Sequence, residues 1–197
     1  MAETMKLSNP NQKRDGILRK FRRFGKQKKG VSAIEFALIA PILIIMVLAG
    51  VDAVYALSAK RKVIIAASSI ADLGAREGEF SDQDIQGLVN LGRTLMVPFN
   101  VNASDVIITG LRVRPNGTEA EVLWSDSVPE GLERAVGTTV QLPSEFTPEI
   151  FLIQSDVRLP YTTLLPVFRQ FTDGEASFTL QDARYFRSRS GQDIPRL

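Results

Sequence analysis

The stretch Phe36-Ala37-Leu38-Ile39-Ala40-Pro41-Ile42-Leu43-Ile44-Ile45-Met46-Val47-Leu48-Ala49-Gly50-Val51 carries no charge. Carried on to residue 57, it makes 22 residues with a single acid, Asp52, close to the far end. About 20 apolar residues suffice to cross the hydrocarbon core of a bilayer. The run is therefore read as a transmembrane helix over residues 31–57. A buried core helix is one alternative, but such helices seldom exceed about a dozen apolar residues without a polar break. A secretory signal cut after Val54-Tyr55-Ala56 is another, and its apolar region would span only about 7–15 residues.

The flanks orient the span. Residues 1–30 hold ten Lys or Arg against two acids, Glu3 and Asp15, a net charge of +8. The rest of the chain carries 14 basic and 20 acidic residues, a net of −6. Basic residues collect on the cytoplasmic side of a span, so residues 1–30 are read as a cytoplasmic leader and the remainder as extracytoplasmic. Lys60-Arg61-Lys62 beyond the span weakens the asymmetry without reversing it. A pI near 9.0 would point to nucleic acid if the charge lay on a folded face. Here it forms a tail that stops where the apolar run begins, so topology explains it and no nucleic-acid partner is expected.

There is no histidine and no cysteine. Ser-His-Asp and Cys-His hydrolases are thereby excluded, and the usual zinc ligands are missing. The carboxylates are scattered, and a pair such as Glu130 and Glu133 in a proline-rich loop gives no reason to expect a shifted pKa. No phosphate loop or metal-ligand spacing occurs. The expectation is a non-enzyme without cofactor or metal.

Two residues stand out at the inner end of the span. Glu35 opens it and Pro41 lies inside it. A carboxylate entering hydrocarbon costs roughly 2.5–3.5 kcal/mol on insertion scales and calls for a partner. Pro41 is a tolerated kink or a local softening of the helix.

The run Lys28-Lys29-Gly30-Val31-Ser32-Ala33-Ile34-Glu35-Phe36-Ala37-Leu38-Ile39-Ala40-Pro41 resembles the start of the TadE/TadG-like family, minor pilins or pseudopilins of tight-adherence (Flp-type) pilus systems. The resemblance is clearest over residues 26–60. It continues more loosely into Asp156-Val157-Arg158-Leu159-Pro160-Tyr161. It implies a prepilin-type cut between Gly30 and Val31, with prepilin peptidase as a partner, and it makes Glu35 the fifth residue of the mature chain. Such a cut removes the +8 leader and creates a positive amine on Val31. In a helix bundle, Glu35 of one subunit can meet that amine on a neighbour and set the axial register, a pairing far stronger in low dielectric than in water. Phe36 and Pro41 complete the assembly segment that the resemblance implies.

Beyond the membrane, Ala59, Val63, Ala66, Ala67, Ile70 and Gly74 recur at helical spacing. This narrow small-residue stripe suits close approach both to neighbouring helices and to the chain's own sheet, on different faces. Helix over residues 31–77 would be about 70 Å long, ending at Gly78. Ser81-Asp82-Gln83-Asp84 reads as a capped helix start, followed by an apolar face of Ile85, Leu88, Val89, Gly92, Leu95 and Met96, with Pro98 as the stop. Asn116-Gly117 predicts a type I′ hairpin. Its register sets Arg114 opposite Glu119 and Arg112 opposite Glu121 on one face, a solvated charged surface. On the other face Val113 meets Ala120, Leu111 meets Val122 and Thr109 meets Trp124.

Residues 126–149, rich in Pro and Gly, read as loop with one short helical turn, an insertion at the sheet's edge. Strands are predicted near 151–159 and 176–183. Leu164, Leu165, Val167 and Phe168 around Pro166 would close the core or form a partner patch. The tail from Arg184 reads as polar and frayed, apart from Tyr185 and Phe186.

The fold class expected is α+β, a long N-terminal helix packed on a small antiparallel sheet. The organisation is leader 1–30, span 31–57, helical continuation 58–78 and outer domain 79–197. The function expected is a pilin-like structural or assembly subunit in the inner membrane, with membrane lipid, other pilin-like subunits and pilus-assembly components as partners. The alternative is an uncleaved anchored scaffold whose outer domain binds a secretion or pilus-assembly component.

Overall fold

The computed structural model describes residues 28–163 and 177–197. The chain divides into two compact units between Gly50 and Val51. A single helix, α1 (Lys28–Gly74), supplies the described part of the first and the opening of the second. The second unit adds α2 (Asp82–Met96), a short 3-10 turn (Val101–Ala103) and five strands: β1 (Asp105–Val113), β2 (Glu119–Val128), β3 (Thr139–Gln141), β4 (Phe151–Thr162) and β5 (Ser177–Arg187). The architecture is α+β, as the sequence predicts.

The strands form one antiparallel sheet in the order β3-β2-β1-β4-β5. Antiparallel neighbours need only short connections, and β1–β2 is a hairpin. Both faces of the sheet are covered. On one, Val106, Ile108, Trp124, Phe151, Ile153, Val157 and Leu159 pack with the α1 stripe and the apolar face of α2. On the other, Leu111, Val113, Ala120, Val122 and Leu152 are capped by Val140, Leu142, Phe146 and Ile150. The 126–149 stretch, expected as loop at the sheet's edge, thus supplies edge strand β3 and, with Ile150, a lid over this second face.

α1 stops at Gly74 instead of continuing to residue 77. A Cβ on Gly74 would come within 3.3 Å of both Ile153 and Phe80, so glycine permits the helix end to press on the sheet. Immediately beyond, the Ala75 carbonyl accepts from the Arg189 amide at 2.9 Å, which draws the backbone into the C-terminal segment. α2 begins as expected. The Ser81 hydroxyl accepts from the Asp84 amide, and the Asp84 carboxylate accepts from the Ser81 amide at 2.9 Å. This reciprocal cap satisfies two amide donors that a helix start otherwise leaves unpaired.

The hairpin holds in part. Arg112 pairs with Glu121, Val113 with Ala120 and Leu111 with Val122. The register then slips: Trp124 pairs with Gly110 and Ser125 with Thr109. The extra residue is Leu123, and a bulge of this kind turns the next side chain to the opposite face. Trp124 therefore joins the helix-side core while Val122 stays on the other. Gly110 makes room, since a Cβ there would lie 2.4 Å from the indole nitrogen. The turn differs as well. Gly117 donates to the Arg114 carbonyl at 2.9 Å and alone takes a positive φ, 70°. A type I′ turn needs positive φ at Asn116 too. Here Asn116 instead accepts from the Thr118 and Glu119 amides, each at 3.2 Å.

The C-terminal segment is docked, not frayed. Ile194 is buried, and its carbonyl accepts from the Trp124 indole N–H at 2.8 Å. Phe80 donates its amide to Pro195 and accepts from Leu197, both at 2.9 Å. Arg196 bonds both Asp82 and Asp126. The apolar patch expected around Pro166 lies outside the described residues.

Candidate functional site

Among the described residues, the first unit presents an apolar surface with no internal partner. From Ser32 to Gly50 every residue is exposed except half-buried Ala40 and Ala49. The exposed side chains include Ile34, Phe36, Leu38, Ile39, Ile42, Leu43, Ile44, Ile45, Met46, Val47 and Leu48. They point in all directions around the helix, the pattern of a helix surrounded by apolar material. α1 is long and apolar enough to cross a membrane.

The residues singled out at its inner end sit on this surface. Gly30 and Val31 lie in the first turn of α1. Glu35 is exposed and makes no ion pair among the described residues. Phe36 is exposed alongside it, and Pro41 is accommodated within the helix. The structure therefore places Gly30, Val31, Glu35, Phe36 and Pro41 on one helical segment.

The small-residue stripe has the opposite fate. Ala59, Val63, Ala66, Ala67, Ile70 and Ala71 are all fully buried against the sheet and α2. The expected packing of this stripe on the chain's own sheet is what the structure shows. Gly92 of α2 fits the same purpose: a Cβ there would lie 2.6 Å from Ile70.

Sequence reading noted Asp52 as a lone acid but not its role. The Tyr161 hydroxyl donates to Asp52 Oδ1 at 2.8 Å, and the Thr163 hydroxyl donates to Oδ2. The end of β4 is thus fastened to the start of the second unit's part of α1. Burial, helped by the bond to the Asp52 carboxylate, pushes the Tyr161 phenol up to about 12. The signal was available, since an acid in an apolar run should have a donor to meet. What the sequence lacked was the donor's identity, 109 residues away.

A polar cavity of about 530 Å³ opens between α2, β2 and the C-terminal segment, lined by Asp82, Gln86, Ser127, Glu130, Glu133 and Arg196 among others. Arg196, Asp82, Asp126 and Glu133 among its charged groups are structurally committed. Arg196 is held charged by Asp126 first and Asp82 second. Glu133 accepts from the Ser127 hydroxyl and the Gly131 amide, which lower its pKa. Among the described residues no group of three or more acids is placed to hold a metal ion. The Arg/Glu rows of the hairpin do not form a site either: Arg112 pairs with Asp193 of the C-terminal segment, and Arg114 stands 3.9 Å from Glu121.

Residues 30–72 match the family model described as TadE-like protein. The match covers nearly all of α1, spanning both the exposed apolar segment and the buried stripe, and none of the sheet. This is the family that the basic-Gly-Glu-Phe run resembles. Comparison with curated proteins gave no match, and comparison with solved structures gave none. The likeness is to the TadE-like segment alone, and that segment coincides with the helix long and apolar enough to cross a membrane.

Proposed function

We propose that this chain is a pilin-like structural or assembly subunit, a minor pilin or pseudopilin of a tight-adherence pilus system. The observation that carries this reading is the exposed apolar segment of α1 within the TadE-like match. Among the described residues its large aliphatic side chains find no cover and are left to outside partners. In the inner membrane those partners are lipid; in an assembly they are the same segments of other pilin-like subunits. The leader side would face the cytoplasm, and the second unit would lie on the other side.

Glu35 fits this role because it sits at the mouth of the apolar segment with no ion pair of its own among the described residues. After a prepilin-peptidase cut between Gly30 and Val31, the Val31 amine of a neighbour would neutralise it. A buried acid is tolerated when paired and costly when not, so the pair would fix subunit register. Phe36 beside it and Pro41 one turn beyond would shape the local packing. The second unit would act by presenting its surface to pilus-assembly components, with no catalytic step.

One observation favours an uncleaved anchored scaffold as the second reading. α1 begins at Lys28, so Gly30 lies inside a helix, whereas proteases act on extended backbone. Intact-mass and N-terminal analysis of the protein recovered from its native membrane separates the two. A chain starting at Val31 supports the pilin-like subunit. A chain retaining residues 1–30 removes the new amine and supports the scaffold.

A further inference from the structure

The apolar run does not end where the first unit ends. Val51, Val54, Tyr55 and Leu57 belong to the folded second unit, yet all are exposed. About 20 helical residues cross the hydrocarbon core, so a span opening at Phe36 brings Tyr55 to the far hydrocarbon boundary. Tyrosine at that depth is favoured, with its ring among acyl chains and its hydroxyl in the headgroup layer.

The rest of the unit is tied to the same level. Asp52 is three residues before Tyr55, and it holds Tyr161 and Thr163 at the end of β4. Tyr161 in turn stacks obliquely on Phe178 of β5, with ring centroids 5.2 Å apart. Phe178 is 50% exposed, and Val97, in the turn after α2, is 54% exposed. Exposed large apolar groups gathered at one end of a domain mark a surface with a partner. Beside them opens a cavity of about 540 Å³, lined by Tyr55, Phe99, Leu159, Pro160, Tyr161 and Ser177 among others. It joins a residue of the apolar run to the ends of both β4 and β5. Arg61 is exposed on the next turns of α1. Helical side chains lean toward the N-terminus, which aims its guanidinium back toward the headgroup layer.

We propose that this end of the second unit is a lipid-binding rim, seated in the interface of the leaflet on its own side of the membrane. Tyr55, Val97, Phe99 and Phe178 enter the interfacial layer. The adjoining cavity takes the glycerol and upper acyl portion of a phospholipid, and Arg61 meets a phosphate. The continuity of the rim with the span selects lipid as its occupant. The domain is then held at a fixed height by two contacts, the helix and the rim, instead of swaying on a single tether. The proposal rests on α1 spanning the membrane but not on the chain's entering a pilus.

The test places a tryptophan in the full-length chain, reconstituted in phosphatidylcholine nanodiscs with or without bromine on the upper acyl chain. Phe178→Trp should lose at least about a third of its added emission in the brominated discs, as an interfacial side chain must. Native Trp124, buried in the core, and Val136→Trp, on the loop hydrogen-bonded to Val122 far from Asp52, should not respond. Val97→Trp gives a second reporter should Phe178→Trp disturb the ring pair, and quenching at either rim position supports the proposal. Incorporation into discs without quenching at either would overturn the rim while leaving the span intact. Equal quenching at Val136→Trp would overturn it too, since the domain would then lie on the membrane without a preferred end. Failure of the chain to enter discs would overturn the span and the rim together.

Discussion

Two stretches of one helix, residues 36–50 and 59–71 of α1, are both apolar and meet opposite fates. The first carries Ile, Leu, Met and Val around its whole circumference, and all of those side chains are exposed. The second confines Ala59, Val63, Ala66, Ala67, Ile70 and Ala71 to one stripe, and all of those are buried. The difference is one of side-chain size and distribution more than of hydrophobicity. Small residues on one face let a helix axis approach a sheet closely, and the rest of the circumference, mostly Lys, Arg and Ser with Ile65 also exposed, lies outside the core. Large residues on every face leave no orientation that a single sheet could satisfy, so the surroundings must be apolar on all sides. The same element thus turns its side chains outward in one half and is a core element in the other.

The sharpest way to break this contrast is to put one charge in each half. Ala66→Asp buries an uncompensated carboxylate and is expected to cost the second unit about 4 kcal/mol, enough to abolish its cooperative melting transition. Leu43→Asp is expected to leave that transition unchanged and to disfavour membrane insertion by about 3 kcal/mol. Thermal melts of solubilised protein and membrane fractionation read the two effects separately. A loss of folding from Leu43→Asp would erase the distinction between the halves.

The second unit's closure ranks next. Deleting residues 194–197 removes Ile194 from the core, leaves the Trp124 N–H without its acceptor and frees Asp82 and Asp126 from Arg196. The expected loss is about 3 kcal/mol, with a red shift of Trp124 emission. Denaturant titration followed by fluorescence measures both, and an unchanged midpoint would mean that the segment is not part of the core.

Smaller effects sharpen the junction between the halves. Tyr161→Phe removes one bond to Asp52 and should cost about 1–1.5 kcal/mol. The native phenol also sets an alkaline signature. Its pKa is raised from 10.0 to about 12 in the folded chain, so folding favours the protonated form. Its contribution is complete below pH 10, falls as pH climbs toward 12 and is gone above that. Absorbance titration should show one of the three tyrosines ionising last, and Tyr161→Phe should remove that late step. Ser81→Ala, which breaks the reciprocal cap of α2, should cost about 1 kcal/mol in the same melts. At the low end, Arg114→Ala should change stability by no more than about 0.5 kcal/mol, because its ion pair is long and exposed.

What could be read from the sequence follows the range of the interactions involved. The long apolar helix, the Ser81/Asp84 cap and the first three pairs of the hairpin depend on residues a few positions apart, and each forms as read. Strands β4 and β5 were also visible in their apolar alternation, though both run longer than expected. The features missed depend on distant partners. The Leu123 bulge is set by Trp124 needing the space over Gly110, not by local propensity. Ile194 lies in the tail read as polar and frayed, and the core and the Trp124 indole 70 residues away give it a place. The cover over the second face of the sheet comes from a Pro- and Gly-rich stretch whose apolar residues show no period. The candidate site divides the same way: Glu35, Phe36 and Pro41 were legible as sequence oddities, whereas the Asp52–Tyr161–Thr163 clasp required the fold.

The most direct test of the division along α1 uses the absence of native cysteine. Single cysteines are placed in turn along residues 36–50 and at positions 59, 63, 66, 67 and 70, and the membranes are oxidised. Disulfide-linked adducts with other subunits carrying matching cysteines are expected in the first set, recurring with helical period, and none in the second. Adducts at the buried stripe, or none in the first set despite stable insertion, would contradict an anchor segment that packs against its neighbours while the rest of the helix serves its own sheet.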